Sequence, residues 1–380
     1  MDALLGNEDN YGSYSVLGNL TISYDVPEFT DYRRTLDLEK GVSTTKFSNS
    51  GQQFDTTMFC SYPSGVCVYQ ISSDGGLPKI SIALENQLVS SDLIDVTCGD
   101  RYARLAGVTQ KGPPEGLKYD AIARISDDSS GTLACSDAGV LDITPDGKSV
   151  TVVIGAATNY DQSKGDEASG YSFKGADPAE AVESATSDAA AETPQDLLSR
   201  HQEDYTSLAS AFSLDLPDPN DSASKETANL LADYDASGKG DPFVEALLFD
   251  LSRYMLISSS RDNSLPANLQ GRWTEELQAA WSADYHANIN LQMNYWHADQ
   301  TGLEATEPAL WNYMRQTWVP RGTETARLLY NADGWVAHST SNIFGYTAMG
   351  SDAGWANCES GGEYTAPRKC NTANLLLFLF

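Results

Sequence analysis

Between Ser264 and Gly302 the chain reads SLPANLQGRWTEELQAAWSADYHANINLQMNYWHADQTG. Trp273, Trp281, Tyr285, Tyr295 and Trp296 stand here among Asn268, Gln270, Asn288, Asn290, Gln292 and Asn294, with His286 and His297 beside them. Rings stack on the apolar faces of a pyranose. Amides donate to and accept from its hydroxyls without a charge to desolvate. These residue types therefore suit a sugar pocket, although a buried helix with satisfied amides uses the same set.

The spacing adds direction. If the segment is extended, His286, Asn288 and Asn290 point the same way; an N-cap at Asn288 makes that convergence partial. From Asn288 the pattern predicts a helix. Ile289, Met293 and Trp296 form an apolar stripe for packing, and Asn290, Asn294 and His297 a polar stripe lining a cleft. The nearby Glu275, Glu276, Asp284, Asp299 and Glu304 are expected to serve helix surfaces or caps.

HANINLQMNYW, preceded by SLPANLQGRW, resembles the signature of glycoside hydrolase family 95, whose characteristic members are inverting 1,2-α-L-fucosidases. The resemblance implies a multidomain β + α protein. Its parts are an N-terminal antiparallel β-sandwich-like domain over 1–175, a helical linker over 176–240, and the first part of an incomplete (α/α)6 catalytic barrel over 241–357. Residues 358–380 form a tail that does not match. It further implies that Asn288 and Asn290 help orient the attacking water and that His286 contacts the fucose. Gln270, Trp273, Asn294, His297 and His338 join these as candidate substrate-binding residues.

An inverting glycosidase needs two carboxyl groups roughly 6.5–9.5 Å apart, an acid and a base with water between. The resemblance places both beyond residue 380, so the chain is expected to hold half a site and to turn over little substrate. The substrate expected is a fucosylated oligosaccharide or glycan. An α-L-galactosidase on the same scaffold, or a non-catalytic carbohydrate-binding remnant, are the other readings.

A net charge of −29 over 380 residues repels nucleic acid. No apolar run reaches the roughly 18–20 residues that span a bilayer. The six cysteines, at 60, 67, 98, 135, 358 and 370, form no CxxC pair, and the four histidines are scattered, so neither a metal site nor any other cofactor is expected. Cys60–Cys67 and Cys98–Cys135 disulfides and buried free thiols both fit the spacing. The start, MDALLGNEDNYGSY, lacks the basic and apolar stretches of a signal peptide. The full-length parent is nevertheless expected to be secreted, which would make the sequons at Asn19 and Asn220 usable.

Short β-rich runs punctuated by Gly, Ser, Asp and Pro fill 13 to about 155 and predict an antiparallel sandwich without catalytic residues. From Ala176 the grain is helical. Pro242 is expected in a first helical turn. Pro320 is expected to break LWNYMRQTWVPRGTETARLLYN into two pieces. GWVAHSTSNIFGYTAMGSDAGW reads as a loop offering His338, Asn342 and Tyr346.

Overall fold

The computed structural model describes residues 16–86, 92–268, 272, 274, 284–287, 289–338 and 340–347. Gln270, Trp273, Asn288 and the 358–380 tail lie outside the described residues.

Twelve strands come first: β1 (Asn19–Tyr24), β2 (Thr30–Asp37), β3 (Val42–Asn49), β4 (Gln52–Ser61), β5 (Val66–Ser73), β6 (Ile80–Glu85), β7 (Ile94–Cys98), β8 (Tyr102–Val108), β9 (Lys118–Ile125), β10 (Gly131–Cys135), β11 (Leu141–Pro145) and β12 (Ser149–Thr158). They pair antiparallel into an eight-stranded sheet, β2-β3-β4-β5-β12-β9-β8-β7, and a four-stranded sheet, β1-β6-β11-β10. Ile80, Ile82 and Leu84 of β6 alternate inward and meet Ile71, Leu105, Ala121, Ile125 and Val152 of the larger sheet. Burying these side chains supplies the main stabilisation of this half, at about 1.5–3 kcal/mol each. The Cys98–Cys135 disulfide joins β7 of one sheet to β10 of the other, and Cys60–Cys67 joins directly paired residues of β4 and β5.

The larger sheet is covered on its second face too. Helices α1 (Ala179–Ala190) and α2 (Pro194–Ala209) pack there, placing Ala189, Ala190 and Leu197 on Val42, Phe59, Val68 and Val153. Two-sided burial accounts for the unbroken apolar run of β12. Gly155 lets α1 come close: a Cβ at that position would lie 2.6 Å from Cγ2 of Thr186.

Helix α2 also fastens the sheets to the helical half of the chain. Nε2 of His201 donates to the carbonyls of Lys40 and Gly41, at 3.0 and 3.1 Å, and the Tyr205 hydroxyl donates to that of Leu38 at 2.8 Å. Gly41, at φ +63°, turns the β2–β3 hairpin against the Tyr205 ring. The Arg261 guanidinium grips Asp204 with two bonds, 3.0 and 2.8 Å, and lies 3.7 Å over the Tyr62 ring.

The remaining described α-helices are α3 (Thr227–Asp233), α4 (Pro242–Ser259), α5 (Asn290–Tyr295), α6 (Pro308–Tyr313) and α7 (Val319–Tyr330), with two-residue strands β13 (Tyr285–His286) and β14 (Thr340–Ser341). Pro242 occupies the first turn of α4, capped by the Asp241 side chain. Pro320 breaks nothing. A π-turn over Met314–Trp318 joins α6 to α7 continuously. Its widened ladder makes room just ahead of the proline ring, and a first-turn proline needs no N–H.

Candidate active site

The candidate residues hang on a short ladder. Strand β13 pairs antiparallel with β14, Tyr285 opposite Ser341 and His286 opposite Thr340. Tyr285 is fully buried. Its ring lies 4.8 Å from that of Tyr313, which lies 5.4 Å from that of Trp318, and its hydroxyl donates to the Pro266 carbonyl at 3.2 Å. The Trp318 indole N–H donates to the Ser341 hydroxyl at 2.5 Å, and the Tyr313 hydroxyl donates to the Asn342 carbonyl. These bonds fix both strands against the helices.

On the other side of β13, two positions apart, stand Asp284 and His286. A carboxylate oxygen of Asp284 lies 2.6 Å from Nδ1 of His286. The Asp284 side chain is 3% exposed and that of His286 17%. Asp284 is thus a buried partner of His286 and not a helix-surface residue, contrary to expectation. The signal for its place was the D-x-H spacing, which brings two side chains together only on extended backbone.

The predicted alternation stops at Ile289, whose φ of +73° turns the chain into α5. That region is costly for a β-branched residue, and such strain gathers at functional sites. Asn290 is the first residue of α5, half-buried. The burial of α5 is the reverse of the expected stripe. Met293 and Trp296 are 50% and 51% exposed, while Leu291, Gln292 and Tyr295 are buried. Leu291 and Tyr295 pack into the apolar core of the helical half, and the Tyr295 hydroxyl bonds the Ser260 hydroxyl at 2.7 Å and accepts from the Ala267 amide at 3.1 Å. Tyr285 and Tyr295 are therefore core supports, not stacking rings.

Asn294, half-buried, reaches the carbonyl of buried Asn268 at 3.4 Å. The Gln292 amide donates to the Ala287 carbonyl at 2.7 Å, tying α5 back to the strand exit. His297 is half-buried, and its Nε2 has no hydrogen-bond partner among the described residues. His338 is 2% exposed, with Nε2 2.7 Å from the Tyr330 hydroxyl and Nδ1 2.6 Å from the Thr347 carbonyl. Asn342 accepts from the amides of Phe344 and Tyr346 and so shapes its own turn. His286 thus lies on β13, Asn290 and Asn294 on α5 and His297 just beyond it, while His338 and Asn342 flank β14. A cleft of about 490 Å³, lined by Leu38, Glu39, Tyr205, Phe212, Asp250, Arg253 and Tyr254, holds none of the candidate residues.

Burial holds His201, His297 and His338 below their ordinary 6.5, and the Arg253 charge adds to this at His297. Folded, each binds its proton more weakly than unfolded. Their contribution to stability is whole above 6.5 and is lost as pH falls below it. Melting temperature should accordingly drop as pH falls from about 7 to about 5; a flat or rising profile would contradict this.

Among the described residues no group of three or more His, Cys, Asp or Glu could hold a metal ion, and no helix is long and apolar enough to cross a membrane.

Residues 193–370 match the glycosyl hydrolase family 95 catalytic domain, and residues 1–163 the glycosyl hydrolase family 65 N-terminal domain. The chain is 49% identical over 351 residues to the probable alpha-fucosidase A of Aspergillus oryzae (strain ATCC 42149 / RIB 40), covering 90% of this chain and 48% of that protein. To the probable alpha-fucosidase A of Aspergillus niger (strain ATCC MYA-4892 / CBS 513.88 / FGSC A1513) it is 47% identical over 363 residues, 94% of this chain and 45% of that one. The chain therefore spans about half the length of these relatives. A solved structure titled putative kojibiose phosphorylase from human microbiome shares the fold, with a TM-score of 0.54 at 11% identity, over 87% of this chain and 42% of that one.

Proposed function

We propose that the chain, whose residues 193–370 match the glycosyl hydrolase family 95 catalytic domain, belongs to that family and forms part of an inverting α-L-fucosidase acting on fucosylated glycans. The observation that carries this reading is the HANIN segment. It lies in the matched domain and is held by the β13–β14 ladder and α5, with His286 and Asn290 on adjoining elements. In this reading, water attacks the anomeric carbon from the face opposite the leaving oxygen. A base carboxylate takes a proton from the water, and an acid carboxylate gives one to the departing oxygen. Asn290, with Asn288, orients that water, and His286 holds a sugar hydroxyl. An amide cannot take the proton but aligns the lone pair that attacks. No described carboxyl group beside His286 is assigned as acid or base. Helices α4 to α7 are the opening part of an (α/α)6 barrel.

Calorimetry with L-fucose and turnover of 2′-fucosyllactose test this together. Fucose should bind, and Asn290→Ala should weaken binding by roughly tenfold or more. Turnover by the 380-residue chain would place acid and base within it; binding without turnover would place at least one elsewhere. Absence of fucose binding would overturn the reading.

The same reading has the protein exported. Support comes from the two disulfides, which persist in oxidising compartments. Asn19 and Thr21 are both exposed on edge strand β1. In a eukaryotic secretory host Asn19 should carry an N-linked glycan, seen as a mass loss on enzymatic deglycosylation that Asn19→Gln abolishes. An unmodified Asn19 on secreted protein would count against it.

A further inference from the structure

The geometry points to Asp284 as a positioning residue for this site: it fixes the proton of His286 on Nδ1 and makes Nε2 of that ring a hydrogen-bond acceptor for a sugar hydroxyl. The second half of this statement rests on the fucoside reading above; the first stands on the structure alone.

A carboxylate has no proton to donate, so a bond between Asp284 and Nδ1 requires the hydrogen on the ring. At 2.6 Å the contact has the short distance of a charge-assisted bond. A neutral imidazole then carries a lone pair on Nε2. Both partners are held in place. Asp284 is 2% exposed. Between the two residues, fully buried Tyr285 is fastened to Pro266 and packed on Tyr313. His286 is further fixed by its place opposite Thr340 in the ladder. A buried carboxylate costs several kcal/mol unless its partner offsets the lost hydration. An asparagine of the same shape would avoid that cost, but its amide satisfies either tautomer. What the carboxylate adds is a demand for a donor at Nδ1.

The consequence is chemical. Each hydroxyl of fucose both donates and accepts. With Nε2 as acceptor, His286 receives a hydrogen bond from a hydroxyl and leaves that oxygen's lone pairs to amide donors. With the opposite tautomer, Nε2 would donate as well, and the hydroxyl's own proton would lose this acceptor.

The test uses the whole 380-residue chain labelled with ¹⁵N-histidine, with His286→Gln identifying the ring signals of His286. Long-range ¹H–¹⁵N correlation spectra separate the Nδ1–H, Nε2–H and doubly protonated forms. The wild-type protein at neutral pH should show Nδ1–H. Asp284→Asn should move the ring toward Nε2–H and weaken L-fucose binding roughly tenfold to hundredfold, with an unchanged far-ultraviolet dichroism spectrum. An Nε2–H or doubly protonated ring in the wild type would overturn the proposal, as would Asp284→Asn with unaltered tautomer and affinity. Nδ1–H in a wild type that binds no fucose would uphold the tautomer assignment and sink the fucoside reading instead.

Discussion

Trp318→Ala is expected to remove about 3–5 kcal/mol of stability, the range for emptying a buried aromatic site. Trp318 is fully buried, sits 5.4 Å from the Tyr313 ring and donates to the Ser341 hydroxyl. Its removal opens a cavity under β14 and leaves that hydroxyl short of a partner. Trp318→Phe separates the two losses. It keeps most of the volume and should cost about 1–3 kcal/mol, mainly through the unmet hydrogen bond and imperfect filling. Denaturant titration of the three proteins checks this. A loss under about 1 kcal/mol for the alanine variant would mean that the site can collapse around the gap.

Removing the Cys98–Cys135 bridge as a double serine variant should cost about 4 kcal/mol, and removing Cys60–Cys67 about 2.5 kcal/mol, on the chain-entropy account. The two bridges close segments with separations of 37 and 7 residues, so the longer one restricts the unfolded chain more. The longer bridge also joins the two sheets, whereas the shorter joins strands already paired by their backbone. Both arguments give the same order. Unfolding free energies of the two variants decide it; equal losses, or a larger loss for Cys60–Cys67, would contradict both.

The sheets were legible in the sequence because most strands long enough to alternate also bury a face, β2 being exposed almost throughout. Ile80, Ile82 and Leu84 are the plainest case, all buried against the larger sheet. The helices after Ala176 were legible as a change to a helical grain, and the start of α4 through Pro242 in its first turn. The site was legible as a segment but not as a geometry. Strands β13 and β14 have two residues each and offer no period to read. The apolar stripe of α5 was assigned to the wrong side: Leu291 and Tyr295, not Met293 and Trp296, join the core, and the Tyr295 hydroxyl is bonded there to Ser260 and Ala267. Asp284 was missed because a lone acidic residue before a helix suggests a cap, and only its pairing with His286 says otherwise. Pro320 misled for a related reason, since a π-turn has no mark in residue types.

The contact between residues 285–286 and 340–341 joins segments far apart along the chain, while most partners of the strands in the twelve-stranded half are neighbours in sequence. With so few backbone bonds across so long a loop, this ladder loosens early on warming. Amide deuterium uptake at Tyr285 and His286 should then outrun that of β9 and β12 well below the global melt. A bound sugar would slow that exchange, so ligand recognition and local order at the ladder would be measured as one equilibrium.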